Sequence, residues 1–374
     1  MEKIMRKIKN IVLCVGMFVF LTLTGGWLFF KTPDAYSMSE RRTLKTKTEL
    51  TWDNLWSGKF MQDYEDYALD QFPARDTFRT IKAMSEYYVF HKKDSNGLYQ
   101  KDGYLSKLEY PRKEAMQEHA AERFGFLYDT FLKEKGITPY LVIVPDKNYY
   151  LAKDGSMLTL DYEELYASMN EKTPYMEQID IRDLLEAGDY YYTDTHWRQD
   201  QILDVAERIL SVMNPEGTVS VNPEEAKTLE TPFYGVYVGQ SALPVKPDEI
   251  RYFTSNVLEN CKVLNYETGM PVEMSVYDFQ KAKGADGYDF FLSGASPFIT
   301  IENPAATTDK ELVMFRDSFG SSLAPLLVES YRKVTLVDIR YVQSGMLGGL
   351  IDFDNQDVLF LYSTLLLNSS LGMK

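Results

Sequence analysis

Histidine and cysteine are scarce in this 374-residue chain, with three of the first and two of the second. Cys14 lies in an apolar N-terminal run and Cys261 is far from it. A disulfide between them would have to join a membrane core to a folded domain, so none is expected. A structural zinc centre wants four soft ligands, so no cysteine-based metal site is expected either. Positive charge is also short: 40 Lys and Arg stand against 55 Asp and Glu, a net charge of −15. The first nine residues hold Lys3, Arg6, Lys7 and Lys9 against Glu2, so the remainder carries −18. A nucleic-acid partner needs a basic footprint, and that balance argues against one. No P-loop, dinucleotide fingerprint or zinc-protease motif is present, and no 20–50-residue repeat. We therefore expect no cofactor and no metal.

Aromatic residues are plentiful, with 27 Tyr and 21 Phe. Such rings stack on sugars, but they also dominate core burial. Composition alone leaves both readings open.

After the basic residues 1–9, Ile11 to Phe30 is a 20-residue run without a charge. At about 1.5 Å per residue it spans roughly 30 Å, the thickness of a bilayer core. Trp27, Phe29 and Phe30 sit at its far end, where aromatic belts form. The pattern predicts a transmembrane anchor over 10–30, with the basic tail inside and everything after Lys31 outside. A cleaved signal peptide would have a shorter apolar region and a small-residue cleavage site. Leu28-Phe29-Phe30-Lys31-Thr32-Pro33 lacks that site.

Residues 31–59 read as a linker, and 60–374 as one α/β domain with an irregular insertion at about 220–290. Helical spacing over 51–90 is broken at Pro73. Asp102-Gly103 predicts a turn between two short strands. Residues 112–136 read as a helix stopped by Gly136, and 198–213 as an amphipathic helix. Apolar runs at 141–144, 298–301, 312–315, 334–339 and 358–361 predict strands, with a helix over 321–331. Strand, helix, strand at this spacing implies a parallel sheet.

Two segments carry chemistry. Thr193-Asp194-Thr195-His196-Trp197 offers an acid and a base two residues apart, and Arg316-Asp317-Ser318-Phe319-Gly320 places a serine at a strand-to-helix turn. A serine hydroxyl needs a base, and the base needs a third group to set its tautomer. Extended backbone would put Asp194 and His196 on one side, with Trp197 beside the imidazole to limit water. The amides opening the helix after Ser318 would stabilise an oxyanion. Arg340, at the end of the next strand, would hold an anionic intermediate or a sugar. Asp146 and Lys147 follow strand 141–144 at its carboxyl end, where α/β proteins bind ligands. The bland alternative is that Asp194 or Thr195, and Asp317 or Ser318, merely cap helices.

These two segments, with Phe72-Pro73-Ala74-Arg75-Asp76, Val144-Pro145-Asp146-Lys147 and Val337-Asp338-Ile339-Arg340-Tyr341, resemble the DHHW family. That family is similar to the alginate O-acetyltransferase proteins, with their permuted SGNH-hydrolase-like domain. The resemblance covers most of 60–374. It implies a three-layer α/β fold with a central, mostly parallel sheet. By motif match it implies Ser318 as nucleophile, His196 as base and Asp194 as its orienter. Phe319 and Tyr341 enter as oxyanion or substrate contacts, and Gly294 and Asn303 as possible oxyanion contributors. It also implies acetyl transfer to an exported or cell-wall polysaccharide, with a membrane-embedded acyltransferase as acetyl donor partner. Thr195 departs from the pattern, which expects a histidine there. A carbohydrate acetylesterase with the same triad is the alternative; a non-catalytic glycan-binding scaffold is another.

Overall fold

A computed structural model describes residues 2–374. The chain forms two compact units, residues 1–92 with 242–244, and residues 93–241 with 245–374.

The first unit opens with α1 (Glu2–Phe30), which is long and apolar enough to cross a membrane. Residues 31–59, read above as a linker, contain a two-stranded ribbon (Tyr36–Ser37, Arg42–Thr43) and α2 (Trp52–Trp56). Two longer helices follow, α3 (Lys59–Asp70) and α4 (Arg75–Met84). The break between them falls at Pro73 as predicted, because a proline cannot supply the helical N–H. Gln71 sits buried at this corner.

The second unit is built on an eight-stranded sheet. Its strands are β1 (Tyr140–Val144), β2 (Glu177–Gln178), β3 (Lys262–Asn265), β4 (Val272–Met274), β5 (Phe298–Glu302), β6 (Glu311–Arg316), β7 (Lys333–Val337) and β8 (Asp357–Ser363). The order is β4-β3-β5-β7-β6-β8-β1-β2. The run from β7 to β2 is parallel, and β5, β3 and β4 add antiparallel strands at one side. The apolar runs read as strands are therefore the sheet's centre. β3 and β4 come from the region read as an irregular insertion.

Side chains alternate between two cores, as the period of two requires. Leu312 and Met314 of β6 join Leu359 and Leu361 of β8 on one face. Val313, Phe315, Val358 and Phe360 face the other way. The first face is covered by α7 (Leu203–Met213), α8 (Gly320–Leu327) and the 220–290 region; the second by α5 (Glu114–Leu127) and α6 (Tyr162–Lys172). Helix, sheet and helix make the three layers expected. A hairpin (Leu98–Lys101, Tyr104–Lys107) turns at Asp102-Gly103, both at positive φ, as a tight hairpin turn demands.

Candidate active site

Each position of Arg316-Asp317-Ser318-Phe319-Gly320 has its own task where β6 gives way to α8. Arg316 is wholly buried, and Gly320 lies on its side chain; a Cβ at Gly320 would stand 2.8 Å from the Arg316 Cβ. Burial pushes the Arg316 guanidinium down from its ordinary value. The Asp317 carboxylate accepts from the Ser363 N–H (2.8 Å) and the Phe319 N–H (3.0 Å), locking the turn to β8. Ser318 is left partly exposed at the carboxyl end of the sheet.

The other segment reaches the same place. The His196 Nδ1 lies 2.5 Å from Asp194 Oδ1, and its Nε2 lies 2.6 Å from Ser318 Oγ. A carboxylate can only accept, so Nδ1 carries the proton and Nε2 is free to accept from the hydroxyl. The structure thus brings Asp194, His196 and Ser318 into one hydrogen-bonded chain. The backbone device differs from the extended one expected. The His196 N–H also donates to Asp194 Oδ1 (3.1 Å), an Asx turn that folds the carboxylate onto the ring two residues on.

The region read as an irregular insertion braces this turn. Asp194 Oδ2 accepts from the Val236 N–H at 2.8 Å. Gly235 must be glycine: a Cβ there would stand 2.4 Å from both the Asp194 Cβ and the Thr193 carbonyl oxygen. Asp248 accepts from the Tyr192 and Thr193 N–H groups, each at 2.8 Å, and from the Thr193 hydroxyl at 2.5 Å. Burial raises the Asp248 carboxyl above its ordinary value.

Tyr288, also from that region, stacks on His196 with ring centroids 3.7 Å apart and planes 3° from parallel. Its hydroxyl donates to Ser322 Oγ at 2.8 Å. Trp197 does not hold the place beside the imidazole that the sequence predicts. Its indole N–H donates to Ser322 Oγ (2.9 Å) and its ring meets Phe319 edge-on, tying the histidine segment to α8. Nothing in the local sequence marks Tyr288 or Asp248, since the contacts span about 90 and 55 residues.

The remaining candidates separate. Lys147 is buried behind the site, donating to the Tyr191 (2.8 Å) and Tyr192 (3.2 Å) carbonyls that lead into the Asp194 turn. Burial pulls its ammonium down to about 7, against the opposing pull of Asp194, Asp248 and Asp146. Asp146 is taken up by the Thr364 and Tyr162 hydroxyls and the Asn148 N–H, joining the ends of β1 and β8 to α6. Arg340 is held bidentate by Asp338, beside the exposed Tyr341 ring, at the same end of the sheet as Ser318. Phe319 packs against His196 at 4.9 Å, but its N–H is spent on Asp317 rather than left for an oxyanion. The Gly294 carbonyl meets Arg316 at 3.4 Å. Asn303 is not brought to Ser318. It follows β5, which runs antiparallel to β7, so it lies at the opposite end of the sheet, donating to the Val328 carbonyl. No group of metal-binding side chains occurs among the described residues.

Residues 164–337, which contain both motifs, match the family model described as DHHW protein. Over that span the chain is similar to the DHHW family. Among solved structures, a DHHW family protein from Eubacterium siraeum is similar, with 20% identity and a TM-score of 0.58, over 75% of this chain and 95% of that one. Bacillus cereus PatB1 with a sulfonyl adduct is similar at 19% identity and a TM-score of 0.57, over 72% of this chain and 95% of that one. At such identities the likeness shows the fold, and it agrees with the three-layer α/β architecture above. A search of curated proteins finds no match.

Proposed function

We propose that this protein is a membrane-anchored O-acetyltransferase that moves acetyl groups onto an exported or cell-wall polysaccharide. The observation that carries the reading is the chain Asp194–His196–Ser318, with contacts of 2.5 and 2.6 Å. In the first step Ser318 Oγ attacks the acetyl carbonyl while its proton passes to His196 Nε2. The donor's leaving group departs with that proton, and an acetyl-serine remains. A sugar hydroxyl then attacks the ester, giving its proton to His196, and Ser318 is regenerated. The donor partner would be a membrane-embedded acyltransferase. The basic residues in the first turns of α1 argue for an amino terminus inside and the sheet domain outside.

Acetyl partition tests the reading. The protein is given an activated acetyl ester with and without a soluble acceptor glycan. A transferase yields acetylated glycan at the expense of free acetate. Acetate alone, at a rate the glycan does not change, would identify an esterase.

Tyr288 supplies a separate check. Its face holds the imidazole in one rotamer and attracts the imidazolium formed as Ser318 gives up its proton. Tyr288→Phe keeps the stack and should retain most activity. Tyr288→Leu loses it, and kcat should fall about 10²-fold with KM little changed, the cost of a loosened catalytic geometry. Equal losses in both variants would show that the stack is unimportant.

A further inference from the structure

A run of rings joins α1 to α4 within the first unit. The Phe20 ring of α1 lies 6.5 Å from that of Phe72, and Phe72 meets Phe78 edge-on at 5.5 Å. Phe20 precedes Phe30, the end of α1, by ten residues, or roughly 15 Å along the axis. Near the end of α1 one side is covered: Leu28 is buried and the Tyr67 hydroxyl donates to its carbonyl at 2.9 Å, while Trp27, Phe29 and Phe30 stay exposed. Helix α3 and the corner after it therefore pack along the second half of α1.

Helix α4 has one face taken up by ion pairs and one that, beyond the contact of Phe78 with Phe72, is largely exposed. Arg75 and Arg79 both pair with Glu40 (2.5 and 3.1 Å). On the other face Phe78, Ile81 and Met84, followed by Tyr88, recur every three or four residues. They are 52%, 53%, 40% and 56% exposed. A contiguous apolar face of this kind marks an interaction surface. The corner itself suits a low dielectric. The Gln71 amide is fully used, donating to the Asp34 and Lys45 carbonyls and accepting from the Asp34 N–H and Lys31.

From this juxtaposition we infer that the α3–α4 corner and the apolar face of α4 are embedded in the outer leaflet beside α1. The partner is the lipid itself. The inference rests on the reading of α1 as a membrane anchor. If residues 11–30 fill a hydrocarbon core of roughly 30 Å, Phe20 lies near its middle. Phe72 touches Phe20, so it and Phe78 lie below the membrane surface. The apolar face of α4 then meets acyl chains, while its arginines stay paired on the polar side. Trp52 and Trp56, four residues apart on α2 and both exposed, suit the headgroup level. The unit is thus a wedge as well as a stalk.

Depth-dependent quenching tests this on the full-length chain. In a Cys14→Ser, Cys261→Ser background, single cysteines at Leu23, Phe78, Ile81 and Lys82 are labelled with bimane and reconstituted into phosphatidylcholine vesicles. Leu23 reports α1, and Lys82 is an exposed residue off the apolar face. Acyl-chain-brominated lipid should quench the labels at 23, 78 and 81 alike and spare the one at 82, with aqueous iodide giving the reverse order. Quenching at 23 without quenching at 78 and 81 would overturn the wedge and leave the anchor standing. Labels at 78 and 81 shielded from both quenchers would point to a second copy covering the face, which also overturns it. No lipid quenching at 23 would remove the anchor and the wedge together.

Discussion

Ser318→Ala is expected to remain folded and to take up no acetyl group. Intact-mass measurement after incubation with an activated acetyl ester should show one added acetyl in the wild type, or ester turnover, and neither in the variant. The loss in turnover should be about 10⁴-fold or more, as for removal of a serine nucleophile from other hydrogen-bonded triads. Folding should survive because Ser318 is partly exposed and its hydroxyl bonds only His196 among the described residues. The turn is closed by Asp317 and by the Ser321 N–H on the Ser318 carbonyl, neither of which needs the hydroxyl. A sulfonyl fluoride gives an independent reading, since it captures activated serine hydroxyls and should add to the wild type alone. An acetyl or sulfonyl adduct retained in Ser318→Ala would place the nucleophile elsewhere. A folded wild type that forms no adduct and turns over no ester would favour the glycan-binding scaffold.

Asp194→Asn should cost about 10⁴-fold in turnover with little change in substrate affinity. The carboxylate accepts at both oxygens: Oδ1 from the His196 N–H and Nδ1, Oδ2 from the Val236 N–H. An amide has one acceptor and one donor end. With its NH₂ toward His196, it forces the proton onto Nε2, which then cannot accept from Ser318. With its NH₂ toward Val236, two donors face each other at a buried site where water cannot relieve them. Circular dichroism and thermal melting should show a folded but less stable protein. Activity within tenfold of wild type would mean that Asp194 serves only the turn.

Much of the sheet was readable because buried strands announce themselves as short apolar runs. Leu141–Val144 and Leu312–Phe315 fall inside β1 and β6, each within a residue or two of its end. The stop at Gly136, where the helical path continued from α5 through a wider turn (128–132) and a tighter one (133–135) ends, and the Asp102-Gly103 turn are readable because positive φ restricts the residue types that fit. Within the site, the order Asp-x-His and the serine at a strand-to-helix turn were local facts. Their errors were local inferences pushed too far. Adjacency in sequence puts Trp197 against His196, whereas the face of the imidazole is covered by Tyr288. Its chemistry suggests Asn303 for the oxyanion, but the antiparallel direction of β5 carries it to the far end of the sheet.

The sequence by itself determined the apolar N-terminal run, the parallel strands and the residue types able to form an acid, base and nucleophile. These depend on hydrophobic period and side-chain chemistry over a few neighbouring positions. Only the tertiary structure decided that the Asp194 and Ser318 segments meet, and that Val236, Asp248 and Tyr288 brace them. It also decided that α4 leaves one apolar face largely exposed, in contact with Phe72 at one end. Those outcomes depend on strand order and direction, which pair residues tens to more than a hundred positions apart and leave no periodic trace in the chain.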